Sequence, residues 1–262
     1  MGSSQSINRF MNATIHNTSP TDSGLRVRLG VLQAGRAPEA LLDHHADYDR
    51  MFENLLGADA FDYRHFPVLD NVFPNNIDDA DAWLITGSRF GAYEDHTWIP
   101  PLEAFIREVY ASGKPMVGIC FGHQIIAQAL GGKVEKFAGG WSVGRVEYDL
   151  DESVFGPPAS NTADSSALMA FHQDQVVSLP AEAKNVGSSS FCQNAALLYG
   201  NRMLTLQPHP EFDKSFIQGL LDVRGEILPD EVKTRAAATL EQPIAQSSIA
   251  QTLRHFLSRQ TS

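Results

Sequence analysis

Cysteine is nearly absent: Cys120 and Cys192 are the two thiols in 262 residues. Two thiols make no disulfide framework, and a chain of this length buries enough surface to fold without one. Reduced thiols and a cytoplasmic setting are therefore the expectation. Basic charge is also scarce. Lys and Arg number 20 against 31 Asp and Glu, a formal net charge of −11. Phosphate backbones and anionic lipid repel such a chain, so no nucleic acid and no membrane surface is expected as a partner. No apolar run approaches the roughly 20 residues that span a bilayer. Residues 1–24 are rich in Ser, Thr and Asn and lack the apolar core of a signal peptide. They read as a disordered leader, with Met11 a candidate start. Metal ligands at site spacing are missing as well. His44 and His45 are adjacent on what reads as an exposed helix, and no His, Cys, Asp and Glu cluster has metal spacing. No phosphate-binding glycine loop or dinucleotide fingerprint occurs, so no cofactor and no metal is expected.

What is present suits a soluble globular protein rather than a disordered one. Hydrophobic residues make up 43% of the chain and charged residues 19%, enough for a large core. From Arg26 onward strands and helices alternate, the pattern of a parallel sheet covered on both faces. Strands are expected at 27–32, a short apolar, β-branched run, at 61–66, closed by Pro67, at 82–86, ending at Gly87, and at 116–119. Helices are expected at 38–56, with Pro38 in its first turn and Gly57 as C-cap, at 101–110, and from Gln124 to Leu130. Beyond Gly131 the segments 143–150, 168–177 and 197–206 read as strands of a mixed sheet edge. Residues 151–166 read as a surface loop, and the chain after Phe212 returns to helical spacing. With no internal repeat and no clear linker, residues 25–262 are expected to form a single domain.

The stretch Gly118-Ile119-Cys120-Phe121-Gly122-His123-Gln124 carries the strongest chemical signal. A nucleophile with glycines two residues away on either side fits a sharp strand-to-helix turn. Larger residues at 118 and 122 would collide with the flanking strand and helix. The N-terminus of the following helix favours a thiolate and a developing oxyanion. The competing reading is an ordinary buried thiol at a strand end, the role expected of Cys192. A thiol nucleophile needs a base, and the base needs an orienting group. Gln207-Pro208-His209-Pro210-Glu211 supplies both. Two apart in an extended stretch, His209 and Glu211 would point the same way, and the prolines stiffen the backbone around them.

Together, the cysteine stretch and His209-Pro210-Glu211 resemble the class I, or triad, glutamine amidotransferase family, over roughly residues 27–216. The resemblance implies an α/β, flavodoxin-like three-layer sandwich with a mostly parallel central sheet and helices on both faces. The site would lie outside the carboxyl ends of the strands. It implies Cys120 as nucleophile, His209 as general acid and base, and Glu211 as its partner. One oxyanion-hole amide is assigned to Ser88, in the turn Thr86-Gly87-Ser88-Arg89, and the other to Phe121. Ser88-Arg89 departs from the Gly-Gly-Pro turn common in the family. Substrate contacts are assigned to Gly87, to Gln124 for the amino-acid end, and to His172 and Gln173 for the glutamyl pocket. Gln124 has a second reading as a residue capping its own helix. His172 is a rival base with Asp174 as its orienting group, and His123 is expected beneath the elbow.

Only about fifty residues follow Glu211, too few for a synthetase domain. The Thr-Gly-Ser turn, the Phe-bearing elbow and Phe171-His172-Gln173-Asp174 are similar to stand-alone members of the family, γ-glutamyl peptidases among them. The implied activity is cysteine-dependent hydrolysis of a small-molecule γ-glutamyl amide, glutamine or a γ-glutamyl conjugate, through a thioester. The alternatives are a glutaminase supplying ammonia to a separate synthetase subunit, and a non-catalytic binding relative.

Overall fold

A computed structural model describes residues 26–157 and 166–259. The expected leader, 1–24, lies outside the described residues, as does most of the second half of the expected 151–166 loop. The first half of the chain alternates strand and helix: β1 (Arg28–Leu32), α1 (Tyr48–Leu56), β2 (Asp62–Phe66), β3 (Ala82–Ile85), α2 (Ile99–Ser112), β4 (Met116–Ile119) and α3 (Phe121–Ala129). The second half is strand-rich. It runs β5 (Lys133–Lys136), β6 (Ser142–Glu147), β7 (Asp149–Leu150), a short α4 (Glu152–Phe155), β8 (Ala167–His172), β9 (Asp174–Ser178) and β10 (Ala183–Ser188). A hairpin of β11 (Ala196–Tyr199) and β12 (Met203–Leu206) follows, and α5 (Lys214–Arg224), α6 (Asp230–Ala237) and α7 (Gln246–Leu257) close the chain.

Eight strands form the central sheet in the order β2-β1-β3-β4-β12-β11-β10-β7. Those from β2 to β12 pair in parallel, and the rest pair antiparallel. The parallel part, with β12 as its fifth member, follows the flavodoxin-like order 2-1-3-4-5. Alternation along each strand separates two layers of core. Leu32, Trp83 and Ile85 face Leu102, Phe105 and Ile106 of α2 and Ile125 of α3. Leu29, Val31, Leu84 and Ile119 face Phe52 and Leu56 of α1 and Leu253 and Phe256 of α7. Three layers result.

Two expectations are corrected. The stretch 38–56 is not one helix: a single 3-10 turn at Glu39–Leu41 precedes α1, and His44 and His45 lie in a turn between them. Asp47 is the cause. Its carboxylate accepts from the backbone N–H of both Ala37 and Tyr48 and from Gln33 Nε2, each at 2.8 Å. Side chains that bond nearby amides compete with a continuous helix and favour its start. The strands after Gly131 do not all edge the main sheet. β6 pairs with β8, and β5 with β9, as separate antiparallel ribbons, while β7, β10, β11 and β12 join the main sheet. Val143 and Met169 of the β6–β8 ribbon pack beneath Phe216, Leu220 and Val232 of α5 and α6. That third cluster carries the end of α5 over the carboxyl ends of the parallel strands.

Candidate active site

Three strand ends converge. In the sheet β4 lies between β3 and β12, so the turns that leave these strands, Gly87-Ser88, Cys120 and Gln207 to Glu211, are neighbours although distant in sequence. Cys120 is the whole of the link between β4 and α3, which is why the helix starts at Phe121 rather than at the expected Gln124. Its backbone sits at φ 52°, ψ −100°. Among the described residues only Asn71 shares a positive φ without being glycine. A conformation of this kind costs about 1–3 kcal/mol and persists where its surroundings enforce it.

The two glycines make that turn feasible. A Cβ on Gly122 would lie 2.4 Å from the Ile85 carbonyl oxygen of β3, and one on Gly118 would lie 2.5 Å from the Gly122 carbonyl oxygen. Both obstacles are backbone, which cannot swing aside. Gly122→Ala is therefore expected to destabilise the fold by roughly 2 kcal/mol or more, as overpacking does, lowering the thermal unfolding midpoint by several degrees. A melt equal to wild type would show that the strand and helix are not wedged here.

His209 is fixed from several sides. Its N–H donates to the Met169 carbonyl at 2.8 Å, in an isolated bridge to β8. Its ring stacks on Phe212 at 3.9 Å and 5°. Nδ1 bonds Glu211 Oε1 at 2.6 Å, and both side chains are buried. The residues from 207 to 211 form bends and a turn rather than the expected extended stretch, and the turn brings imidazole and carboxylate together. Cys120 lies close enough to the imidazole to act on its charge, and with Nδ1 engaged by Glu211, Nε2 is the ring nitrogen left free of that bond. Burial opposes charge on His209, yet Glu211 and then Cys120 outweigh it and push its pKa up to about 10. Gly87 lies against both groups: a Cβ there would be 2.9 Å from His209 Cε1 and 3.8 Å from the Cys120 Cβ.

His172 is a different kind of histidine. It bonds the Asp174 backbone carbonyl at 3.2 Å, not its carboxylate. Burial, joined by the neighbouring His209, takes its pKa down to about 3, so the ring stays neutral at physiological pH. The orienting contact expected of Asp174 thus comes from the main chain. His123 lies buried under the elbow, on Thr205 Oγ1 at 2.8 Å. Burial pushes the Cys192 thiol up to about 12.

A cleft of about 450 Å³ opens on the group, lined by Ser88, Cys120, Gln124, His172, Gln173 and His209 among others. Gln124 Nε2 donates to the Asp174 carbonyl at 3.0 Å and to Gln207 Oε1 at 3.1 Å, so its amide is built into the wall instead of capping its own helix. Gln173 Nε2 donates to the Phe137 carbonyl at 3.4 Å. Phe121 opens α3, so its N–H has no carbonyl a turn earlier to bond. Sequence reasoning missed Gln207, whose buried Nε2 is without a partner among the described residues, though its place two residues before His209 was a signal. It also missed Tyr48 and Arg224, which reach the cleft from α1 and the end of α5 and leave no local mark. Among the described residues no group of His, Cys, Asp and Glu is placed to hold a metal ion, and no helix is long and apolar enough to cross a membrane.

Comparison with known proteins agrees with this architecture. The family model of class-I glutamine amidotransferases matches residues 60–217. The chain is 30% identical over 204 residues to gamma-glutamyl peptidase 5 of Arabidopsis thaliana, covering 75% of this chain and 81% of that protein. It is 32% identical over 148 residues to one subunit of the glutamine-hydrolyzing GMP synthase of Archaeoglobus fulgidus, covering 55% of this chain and 74% of the relative. A glutamine amidotransferase from Thermotoga maritima shares the fold, with a TM-score of 0.71 at 19% identity over 89% of this chain and 99% of that one.

Proposed function

Because the chain belongs to the class-I glutamine amidotransferase family, we propose that it hydrolyses γ-glutamyl amide bonds through a thioester on Cys120. What supports this reading is the buried bond between the His209 imidazole and the Glu211 carboxylate, with Cys120 close enough to raise the pKa of that same imidazole. His209 takes the thiol proton, and Cys120 Sγ attacks the γ-carbonyl carbon. The oxyanion so formed is held by the N–H groups of Ser88 and Phe121, each such donor being worth about 2.7–4 kcal/mol in the transition state. Collapse expels the amine, which leaves with the proton from His209. Water then gives a proton to His209 and attacks the thioester, releasing glutamate, and the proton returns to the thiol. Glu211 holds the imidazole in the tautomer and orientation this exchange needs. Gly87, Gln124, His172 and Gln173 shape the pocket for the glutamyl group.

Relatives named gamma-glutamyl peptidase support a γ-glutamyl peptide as substrate, beside glutamine. Incubation of the purified chain with glutamine and with γ-glutamyl dipeptides tests this, free glutamate being the expected product. A chain that releases none from any of them, and whose Cys120 does not react with a glutamine-like electrophile, is not this hydrolase. The likeness to the archaeal GMP synthase component favours a second reading, a glutaminase that supplies ammonia to a separate synthetase. Negligible activity alone, and strong activation by a copurifying synthetase, would select that one.

A further inference from the structure

The cleft continues past the thiol. A second hollow, of about 590 Å³, adjoins it, and Arg89, Phe90 and Arg224 line both. Arg89 follows Ser88 directly, so it stands on the loop assigned to the oxyanion, where the two hollows meet. Arg224 ends α5 and reaches the same junction. In this acidic chain most basic side chains of the described residues are ion-paired, Arg36 with Asp70 in the second hollow being one case. Arg89 and Arg224 are not. Neither makes an ion pair or a side-chain hydrogen bond among the described residues, and Arg89 rests only on the face of Phe90 at 4.9 Å. Lys136, across the first cleft, faces the carboxylates of Glu94 and Asp174. Glu226 and Asp95 also line the two hollows, and neither pairs with an arginine.

Two planar cations without a counter-ion, at the exit of a cleft, suit a carboxylate, which guanidinium groups bind with paired N–H donors. Glutamine leaves as ammonia and has nothing to offer them. An amino acid leaving from a γ-glutamyl dipeptide carries its carboxylate two bonds beyond the departing nitrogen. We infer that Arg89 and Arg224 bind the carboxylate of the leaving amine and thereby select γ-glutamyl dipeptides with a free C-terminus over glutamine. This inference rests on the hydrolase reading above and assigns the leaving-group side of the same site.

The test compares γ-glutamyl-leucine with γ-glutamyl-leucinamide, which lacks the negative charge. Leucine is chosen because Val223 and Ile227, which flank Arg224 on the cleft rim, are 41% and 54% exposed. The wild-type chain is expected to favour the acid over the amide by about 10-fold or more in kcat/KM, the scale of a charge-assisted hydrogen bond. Arg89→Met and Arg224→Met should each lose about 10-fold or more on the acid and less than about threefold on the amide. Equal wild-type rates on acid and amide overturn the inference. So does an equal loss on both in the variants, since the arginines would then hold the glutamyl end or the fold itself. Should the wild-type chain hydrolyse neither, the hydrolase reading fails, and titration calorimetry on Cys120→Ala still decides this one. Acid bound about 10-fold more tightly than amide upholds it; equal binding, or none, refutes it.

Discussion

Cys120→Ser is expected to abolish glutamate release, with kcat reduced by about 10⁴-fold or more, while the chain stays folded. Serine preserves the shape of the turn but not its chemistry: an alcohol is far more reluctant to ionise than a thiol, and it is the anion that attacks. The positive φ at this position belongs to the tight turn from β4 into α3, which Gly118 and Gly122 allow to pack closely, and serine inherits it unchanged. The thermal unfolding midpoint should therefore lie within a few degrees of wild type. Initial rates on a γ-glutamyl amide, read beside a circular dichroism melt, check both halves. A folded serine variant that keeps a tenth of the activity would remove Cys120 from the reaction.

Removing the imidazole with His209→Ala should cost as much as removing the thiol, since residues that act as one unit are strongly non-additive. Glu211→Gln should cost less, about 10²–10⁴-fold, because orientation is lost while the proton acceptor remains. The sharper signature is in pH. His209 in the fold titrates at about 10 against an ordinary 6.5. With a raised folded pKa, the stabilisation from its charged form is complete below about pH 6.5 and is lost as pH rises through about 10. Glu211 is the leading cause of the rise, ahead of Cys120. Wild-type activity should thus hold into alkaline solution and fall near pH 10, and its melting temperature should decline between pH 7 and 10. In Glu211→Gln the alkaline limb should move toward neutrality and the decline should flatten. Rate–pH profiles and melts at matched ionic strength measure the two, and coincident alkaline limbs would break the link between Glu211 and His209.

How much of this could be read without coordinates varies by element. β4 was expected at 116–119 and is found at Met116–Ile119, and β1 to β3 agree within a residue at each end. β1, β3 and β4 are buried on both faces and must be short apolar runs, so their signal is local and clean, whereas the half-exposed edge strand β2 is marked by the Pro67 that closes it. The helix expected over 38–56 failed because apolar spacing carried no sign that Asp47 would turn back onto Ala37. The ribbons β5–β9 and β6–β8 were legible as strands but not as separate sheets, for a strand's own pattern does not name its partner.

The same division holds at the site. Gly118-Ile119-Cys120-Phe121-Gly122 announces its turn by itself, because two residues that must lack side chains and one that must stand clear are a local steric requirement. His209 and Glu211 are two positions apart and meet across one bend. What joins them to the thiol is the insertion of β12 between β4 and β11, a long-range pairing set by how the whole sheet buries its two faces. Arg224 comes to the cleft only because α5 rests on the β6–β8 ribbon. Local sterics and hydrophobic period therefore wrote the elements and the elbow into the sequence, whereas the neighbours of the thiol were decided by packing between segments that no short window contains.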